Sequence, residues 1–231
     1  AIDAARRARP AAAHVAGFDT ALHATIPAAA HTYALAAEWR TRWPVLRRFG
    51  FLGLSHAYAS RRTAELLDRP IAELQIVTCH LGAGASLCAV RNGESVDTTM
   101  GFTPLEGLVM ATRAGSVDPG LVLWLLQNGG LGADEVLAGL ERHSGLVALA
   151  GTDDMQVVVD RRAAGETEAL FAFDVYTHRL RREIGAMRAA LDQLDACVFT
   201  GGVGEHAPRV RAASGLALDP DANAAMTGDA D

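Results

Sequence analysis

Two glycine-rich turns carry residue types that could hold a phosphate chain. The first, Gly82-Ala83-Gly84, follows the apolar run at 75–81, and the second, Gly201 to Gly204, follows the run at 196–200. Because glycine has no Cβ, such turns let main-chain N–H groups approach a polyphosphate and adopt positive φ. The second turn also precedes a predicted helix, whose N-terminus favours an anion. One such turn alone is more often structural, but two in one chain leave the structural and the phosphate-binding interpretations open.

The basic residues limit the phosphate chemistry that the chain can perform. All 21 of them are arginine, and no lysine is present. A Walker-A loop and a protein-kinase site each need a lysine on the phosphates, and a pyridoxal enzyme needs one for its Schiff base. These residues therefore cannot form any of those sites. Phosphate chemistry here must use arginine, main-chain N–H groups or a metal.

The composition is typical of a soluble globular protein of one large or two small domains. Of 231 residues, 50% are hydrophobic and 21% are charged, and the net charge is −6. An acidic chain disfavours nucleic acid or an anionic membrane as its partner, and no apolar run is long enough to span a membrane. Cys79, Cys88 and Cys197 lie in apolar runs and are interpreted as buried thiols of a cytoplasmic protein.

The coarse pattern predicts an α/β domain after a mostly helical first part. Up to Leu67 we expect helices, with a short strand at Val15–Phe18 and a loop at His23–Pro27. Three β-rich runs follow from residue 75, and Asn92-Gly93 between the last two predicts a hairpin.

Beyond Pro104 the pattern becomes helical again. Predicted helices open at Asp118, Asp134 and the Asp153-Asp154 pair, where a carboxylate can cap the helix. A long helix is expected from Glu166 to Leu191, before a final strand, glycine turn and helix. Strands that alternate with helices in this way indicate an α/β fold.

Four ordered stretches of the chain resemble the acetate kinase family of short-chain acyl kinases. They extend from about Ala4 to Asp219 and read GFDTALHATIP, FGFLGLSHAYASRRTAELL, TCHLGAGASLCAVRNGESVDTTMGFTPLEGLVMATRAGSVDPG and VFTGGVGEH. The resemblance implies an actin-like ATPase fold of the ribonuclease H-like type, with ATP in a cleft between two α/β lobes. Residues 1–72 would be the end of the first, acyl-binding lobe, and 73–231 most of the second, nucleotide-binding lobe.

The same resemblance implies a reaction and its cofactors. ATP and acetate would give acetyl phosphate and ADP with the help of Mg²⁺, and the enzyme would be a cytoplasmic homodimer. The family's metal-linked side chains match no residue here, and segments that family members carry at both ends are expected to be missing. The residues do not distinguish acetate from propionate or butyrate.

Roles for individual residues follow from the resemblance. Asp19, His80 and Arg113 match catalytic residues of the family, while Phe51 and Pro104 match the walls of its acyl pocket. The residues that match its nucleotide-binding loops are His80, Leu81, Gly82, Ala83, Gly84, Asp154, Met155, Gln156, Gly202, Val203, Gly204, Glu205 and His206.

These residue types suit phosphoryl transfer, which needs alignment and charge neutralisation more than covalent help. A guanidinium such as Arg113 offers a planar set of donors and keeps its proton, an imidazole such as His80 can donate to a phosphate oxygen, and Asp19 can bind Mg²⁺ through water or orient the acceptor. Each also has an ordinary interpretation: a surface cation, a loop histidine with local partners, and a turn cap.

The chain departs from the family pattern at several of these positions. Leu52 stands where the family has a catalytic histidine, and the loss of one such donor typically costs about 10²–10³ in rate. Ala83, Gln156, His206 and Ser116 also replace the family's residues. Two hypotheses result: an acetate kinase-like enzyme whose turnover is impaired in this chain, or a non-catalytic nucleotide-binding or interaction remnant.

Overall fold

A four-stranded mixed sheet forms the centre of the computed structural model, which describes residues 2–215. Its strands are β1 (Gln75–Leu81), β2 (Ala85–Arg91), β3 (Glu94–Thr98) and β4 (Ala196–Thr200), in the order β3-β2-β1-β4. β1 pairs antiparallel with β2 and parallel with β4, and β2 pairs antiparallel with β3. The predicted α/β class is confirmed, as is the hairpin: Asn92 and Gly93 both have positive φ, at 55° and 85°.

Helices cover both faces of this sheet because side chains alternate along each strand. Val77, Cys79 and Leu81 of β1 belong to the larger core cluster on the face that the long helix α9 (Thr167–Ala189) covers. On the opposite face, Ile76 packs in a second cluster with residues of α4 (Gly53–Leu66). The alternation explains why the apolar run in β1 is almost continuous: the strand is buried on both sides.

Several helices begin where the sequence predicts a cap. Asp118 precedes α5 (Pro119–Gln127) and accepts from Gly120 N, and Asp154 precedes α8 (Met155–Ala163) and accepts from Gln156 N. α6 (Ala133–Arg142) begins one residue before the predicted Asp134, because Gly132 is its N-cap. The remaining helices of this part are α7 (Gly145–Ala150), α10 (Gly201–His206) and α11 (Pro208–Ala212).

The first part of the chain is helical, but the predicted details are partly wrong. Its helices, besides α4, are α1 (Ile2–Ala8), α2 (Ala28–His31) and α3 (Ala37–Arg42). No strand forms at Val15–Phe18, where Val15 is 94% exposed, because no described segment pairs with it. The predicted loop at His23–Pro27 is largely a 3₁₀ helix, Ala21–Thr25, and a second 3₁₀ turn, Ile71–Glu73, leads into β1.

Among residues 2–215, no helix combines the length and apolarity that crossing a membrane requires.

Candidate active site

The two glycine turns lie side by side because they follow neighbouring parallel strands. The second was predicted to precede a helix, but residues 201–204 are the first turn of α10 itself, which begins directly after β4. His80 of β1 is the register partner of Thr200 of β4, so both strands end at the same edge of the sheet. Ligands of open α/β sheets bind outside the carboxyl ends of the strands, at such an edge. The contact is close: a Cβ built on Gly201, whose φ is +80°, would lie 2.7 Å from the carbonyl oxygen of Leu81. Residue 201 must therefore be glycine for the turns to approach in this way.

A cleft of about 550 Å³ opens between the two turns and the start of α8. Most of the sequence-predicted nucleotide-binding residues line it, namely Gly82, Ala83, Asp154, Met155, Gln156, Gly202, Val203 and His206. Cofactor clefts commonly measure about 300–1,000 Å³. The cleft thus has the size for a nucleotide, and residues of both glycine turns line it.

Five lining residues were missed by the sequence interpretation: Ala111, Leu146, Asp153, Tyr176 and Ala207. Tyr176 belongs to the apolar stripe of α9, which is typical of a core helix, and it is only 4% exposed. Burial raises the pKa of its hydroxyl, which has no hydrogen-bond partner within residues 2–215. A tyrosine in an otherwise apolar helical stripe was the only sequence signal for it.

The start of α8 is shaped by two side chains that bond to their own helix. Asp154 caps it, and the Gln156 side-chain amide donates to Asp160 Oδ1 at 2.9 Å. The polar end of Gln156 is therefore directed along the helix. The position that the family fills with arginine offers no cation to the cleft here.

Three of the predicted nucleotide-loop residues contribute main chain or support. Leu81 is fully buried with its side chain in the core, and a Cβ at the buried Gly204 would lie 3.4 Å from the backbone of Phe199. Glu205 accepts hydrogen bonds from the Thr200 hydroxyl and the Gly201 amide, both at 3.1 Å. The Glu205 carboxylate therefore holds the second turn in shape.

Arg113 lies at the first turn and has no ion-pair partner among residues 2–215. A Cβ on Gly84 would be 3.5 Å from its Nη1, and the same nitrogen donates to the Pro104 carbonyl at 3.4 Å and contacts the Met110 sulfur. A half-buried guanidinium held by neutral acceptors keeps its full positive charge available to an anion.

His80 is held at the end of β1 and is hydrogen bonded through one ring nitrogen. Its Nδ1 lies 2.7 Å from Ser55 Oγ of α4, and its Nε2 is on the side of Gly82, where a Cβ would be 3.3 Å away. Burial lowers the pKa of His80, and the charges of Glu205 and Asp19 partly oppose that shift. The two carboxylates and the imidazole therefore share one small region at the strand edge.

Asp19 binds the start of α4 through main-chain groups. Its Oδ2 accepts from Leu52 N at 2.7 Å, and its carbonyl oxygen accepts from Gly53 N at 2.8 Å. Leu52 has a φ of 59°, a conformation that non-glycine residues rarely adopt, and its half-buried side chain packs against the core. The polar group expected at position 52 in the family is thus absent, while the backbone contact to Asp19 is present.

Phe51 and Pro104 do not line the cleft. The Phe51 carbonyl accepts from His23 Nε2 at 3.0 Å, and its side chain packs against the core. The loops that carry the two residues are joined, since Phe49 N donates to Gly101 O at 3.0 Å. The structure therefore brings the two loops together outside the cleft, and the role of Phe51 and Pro104 as an acyl pocket stays a prediction.

Metal ligands are sparse in the described part of the chain. Residues 2–215 contain no group of three or more histidine, cysteine or acidic side chains arranged to hold a metal ion. Asp19 and Glu205 are the carboxylates near His80, and each already accepts main-chain hydrogen bonds. A metal at this site would need most of its ligands from a bound substrate or from water.

Comparisons with known proteins agree with this geometry. The model of the Acetokinase family matches residues 1–229. The chain is 48% identical over 227 residues to an acetate kinase of Synechococcus sp., covering 95% of this chain and 56% of that protein, and 50% identical over 233 residues to one of Leifsonia xyli, covering 98% and 58%. The chain thus spans little more than half the length of these relatives.

Solved structures give the same result for the fold. The Porphyromonas gingivalis acetate kinase superimposes with a TM-score of 0.88 at 35% identity, covering 94% of this chain and 54% of that one. A Francisella tularensis propionate kinase gives 0.87 at 36% identity, covering 92% and 55%. The expected actin-like ATPase fold is confirmed by these neighbours. On the sequence match and the shared fold together, this chain belongs to the Acetokinase family.

Proposed function

We propose that the chain supplies the nucleotide-binding side of an acetate kinase, which transfers the γ-phosphoryl group of ATP to acetate. The carrying observation is the pair of glycine turns at the ends of β1 and β4, which line one cleft with the start of α8. Arg113 without an ion-pair partner in the described chain, at Gly84, adds the positive charge that a polyphosphate needs. In this proposal, residues 73–231 are the nucleotide-binding lobe, and 1–72 belong to the acyl-binding lobe.

The proposed step forms one bond and breaks one. An acetate carboxylate oxygen bonds to the γ-phosphorus while the bond from that phosphorus to the bridging oxygen breaks, and ADP leaves with the electron pair. Negative charge spreads over the three equatorial oxygens during transfer. In the proposed step, Arg113 neutralises that charge, main-chain N–H groups of the two turns hold the phosphates, and His80 Nε2 donates one hydrogen bond; the nearness of Arg113 to Gly84 and of His80 to Gly82 supports these roles.

Mg²⁺ fits this site only as a partner of the nucleotide. Hard oxygen ligands suit it, and it usually keeps several waters while bound to one or two carboxylates plus substrate phosphates. Asp19 or Glu205 could each offer one carboxylate oxygen, directly or through water. When bound, the ion would neutralise phosphate charge, and the chain's own contribution would be to orient the phosphates.

Calorimetric titration with Mg·ATP tests the nucleotide site directly. We expect weak, saturable binding that Arg113→Ala weakens further. A folded protein that shows no heat of binding at millimolar Mg·ATP would contradict the proposal. Trapping of acetyl phosphate by hydroxylamine measures turnover, and the same assay with propionate and butyrate measures acyl selectivity.

Leu52 favours a second candidate, a nucleotide-binding module without turnover. Its side chain carries no donor, and its packing against the core leaves no polar group at that position. Mg·ATP binding with no acetyl phosphate formed, even at high enzyme concentration, would support this candidate over the kinase. Turnover above the uncatalysed rate would rule it out.

Two further proposals come from the resemblance alone: a cytoplasmic location and a homodimer. Sedimentation of the purified chain tests the second, and a monomer at all concentrations would contradict it for these residues.

A further inference from the structure

The two ring nitrogens of His80 have different surroundings. Nδ1 lies 2.7 Å from the hydroxyl of Ser55, in the first turn of α4. Nε2 has no hydrogen-bond partner within residues 2–215 and lies beside the first glycine turn. One nitrogen is therefore fixed by the protein, and the other lies beside Gly82, which lines the cleft, although His80 itself does not.

A neutral imidazole has one N–H, so the partner of one nitrogen decides what the other can do. With the proton on Nε2, His80 can donate a hydrogen bond to a phosphate oxygen. With the proton on Nδ1, Nε2 presents a lone pair, which repels an anion. The nucleotide-binding role proposed above needs the first tautomer whenever the ring is neutral.

We propose that Ser55 is the positioning residue that donates its hydroxyl proton to His80 Nδ1 and so keeps the imidazole N–H on Nε2, facing the phosphates. The proposal deepens the kinase function above and rests on it for the identity of the ligand. The resemblance to the family assigns no role to Ser55. The role proposed here comes from a contact between two side chains that are 25 residues apart in the sequence.

The hydroxyl of Ser55 is available as the donor. Within residues 2–215, its only hydrogen-bond partner is His80 Nδ1, so its proton has no competing acceptor. Ser60, on the same helix, differs because its hydroxyl donates to the Ala57 carbonyl. An uncommitted hydroxyl against a neutral ring nitrogen satisfies both groups when it donates.

His23 gives an internal comparison with a fixed tautomer. Its Nε2 lies 3.0 Å from the Phe51 carbonyl, which can only accept, so that nitrogen carries the proton and Nδ1 accepts from Ser95. At His80 the partner is a hydroxyl, which could donate or accept. The tautomer of His80 is therefore a property to measure, and His23 calibrates the measurement.

The charges that face His80 come from three elements. Asp19, before the first 3₁₀ helix, and Glu205 of α10 are the carboxylates, and the buried His56 of α4 is the neighbouring imidazole. Burial is the largest influence on His80 and lowers its pKa, so the neutral ring is the relevant form near pH 7. Only a neutral ring has two tautomers, because a protonated imidazole carries a proton on both nitrogens. The contact with Ser55 can therefore select the tautomer near pH 7.

The test is a long-range ¹H–¹⁵N correlation spectrum of the histidine rings in the nucleotide-free chain above pH 7. In the wild type we expect His80 protonated on Nε2, with Nδ1 shifted by an accepted hydrogen bond. Ser55→Ala should lower the ratio of the two tautomers by roughly 5- to 10-fold, the effect of one typical hydrogen bond. Ser55→Thr should restore the wild-type ratio, and Ser60→Ala is the matched control, which should not change it.

Mg·ATP binding to the same variants provides the functional readout. Ser55→Ala should weaken binding by about 2- to 5-fold, and Ser55→Thr should not. A wild-type His80 protonated on Nδ1, an unchanged ratio in Ser55→Ala, or an equal change in Ser60→Ala would each overturn the inference. If the wild type binds no nucleotide, the proposed function fails while the spectra still decide the tautomer. If Ser55→Ala does not fold, the wild-type spectrum alone can contradict the inference.

Discussion

The sheet edge at β1 and β4 and the loops around Asp19 and Leu52 would serve the two halves of one reaction, but the chain equips them differently. At the sheet edge, both glycine turns are present, and Glu205 holds the second one through the Gly201 amide. Around Asp19, the backbone arrangement is present, but Leu52 contributes no polar side-chain atom. In the proposed kinase, the nucleotide side therefore has both glycine turns and Arg113, whereas the acyl side has no polar side chain at position 52.

The difference shows how a loop can keep its shape whichever side chain stands at position 52. Asp19 accepts hydrogen bonds from the main-chain N–H of Leu52 and Gly53, and these donors do not depend on the side chain at position 52. A histidine and a leucine can therefore occupy the same backbone.

The largest effect should come from Leu52→His, which would place an imidazole hydrogen-bond donor on the acyl side. In a chimera that places residues 1–231 between the flanking segments of the Leifsonia xyli relative, we expect the rate of acetyl phosphate formation to rise about 10²–10³-fold. Hydroxylamine trapping measures it. Leu54→His, at an exposed position two residues later in the first turn of α4, is the control and should have no effect. Equal rates with and without Leu52→His would show that the position is not catalytic.

Gly201→Ala should disrupt the close contact between the two glycine turns at the edge of the sheet. The residue has a φ of +80°, and an added Cβ would lie 2.7 Å from Leu81 O and 3.2 Å from Gly82 N, so backbone must move. We expect a loss of about 2–4 kcal/mol in the free energy of unfolding, measured by urea denaturation. Gly202→Ala is the matched control: a Cβ there meets nothing within 4 Å. If the two variants were equally stable, the close approach of the turns would be wrong.

Arg113→Ala should weaken Mg·ATP binding without unfolding the chain. Charge-assisted hydrogen bonds contribute about 1.5–3 kcal/mol, so the dissociation constant should rise roughly 10- to 100-fold. Arg113→Lys should recover only part of the affinity, since it keeps the charge and loses the planar fork. Arg142→Ala removes an exposed arginine outside the cleft and provides the control in the same titration. Unchanged affinity for Mg·ATP in Arg113→Ala would mean that Arg113 does not contact the phosphates.

Local signals in the sequence predict the parts of the fold that local chemistry decides. The Asn92-Gly93 hairpin and the caps at Asp118 and Asp154 form as predicted, because each depends on residues within two positions of one another. The meeting of the two glycine turns follows from the parallel pairing of β1 and β4, which the alternation of strands and helices suggests but does not specify.

Contacts between distant residues decide the rest, which a local pattern does not show. The 3₁₀ helix Ala21–Thr25 is fixed by two hydrogen bonds with Ser95, about 70 residues away: His23 Nδ1 accepts from the Ser95 hydroxyl, and the Thr25 hydroxyl donates to the Ser95 carbonyl. The gap between α2 and α3 contains Thr32, which forms a bridge with Arg47. Two further features depend on such contacts: the hydrogen bond between Ser55 and His80, and the position of Tyr176 at the cleft. No residue next to Ser55 or Tyr176 in the sequence indicates either feature.

The smallest effect concerns the histidines between the two regions. Burial lowers the pKa of His23, His56 and His80 below the ordinary 6.5, most strongly for the fully buried His56. Below about pH 6.5 these histidines therefore bind protons in the unfolded chain but not in the folded chain. The free energy of unfolding is thus highest above that pH and decreases as the pH falls. Each such histidine contributes at most about 1.4 kcal/mol per pH unit.

Urea denaturation between pH 7.5 and about 5 measures this slope, and His56→Asn should reduce it by up to one proton. The exposed His143→Asn should leave it unchanged. The same slope in His56→Asn as in the wild type would mean that His56 accepts a proton in the folded state, through the Nε2 that has no partner among residues 2–215. A charged imidazole would then be tolerated between α4 and β1, and the surroundings of His56 would be more polar than the burial of its ring indicates.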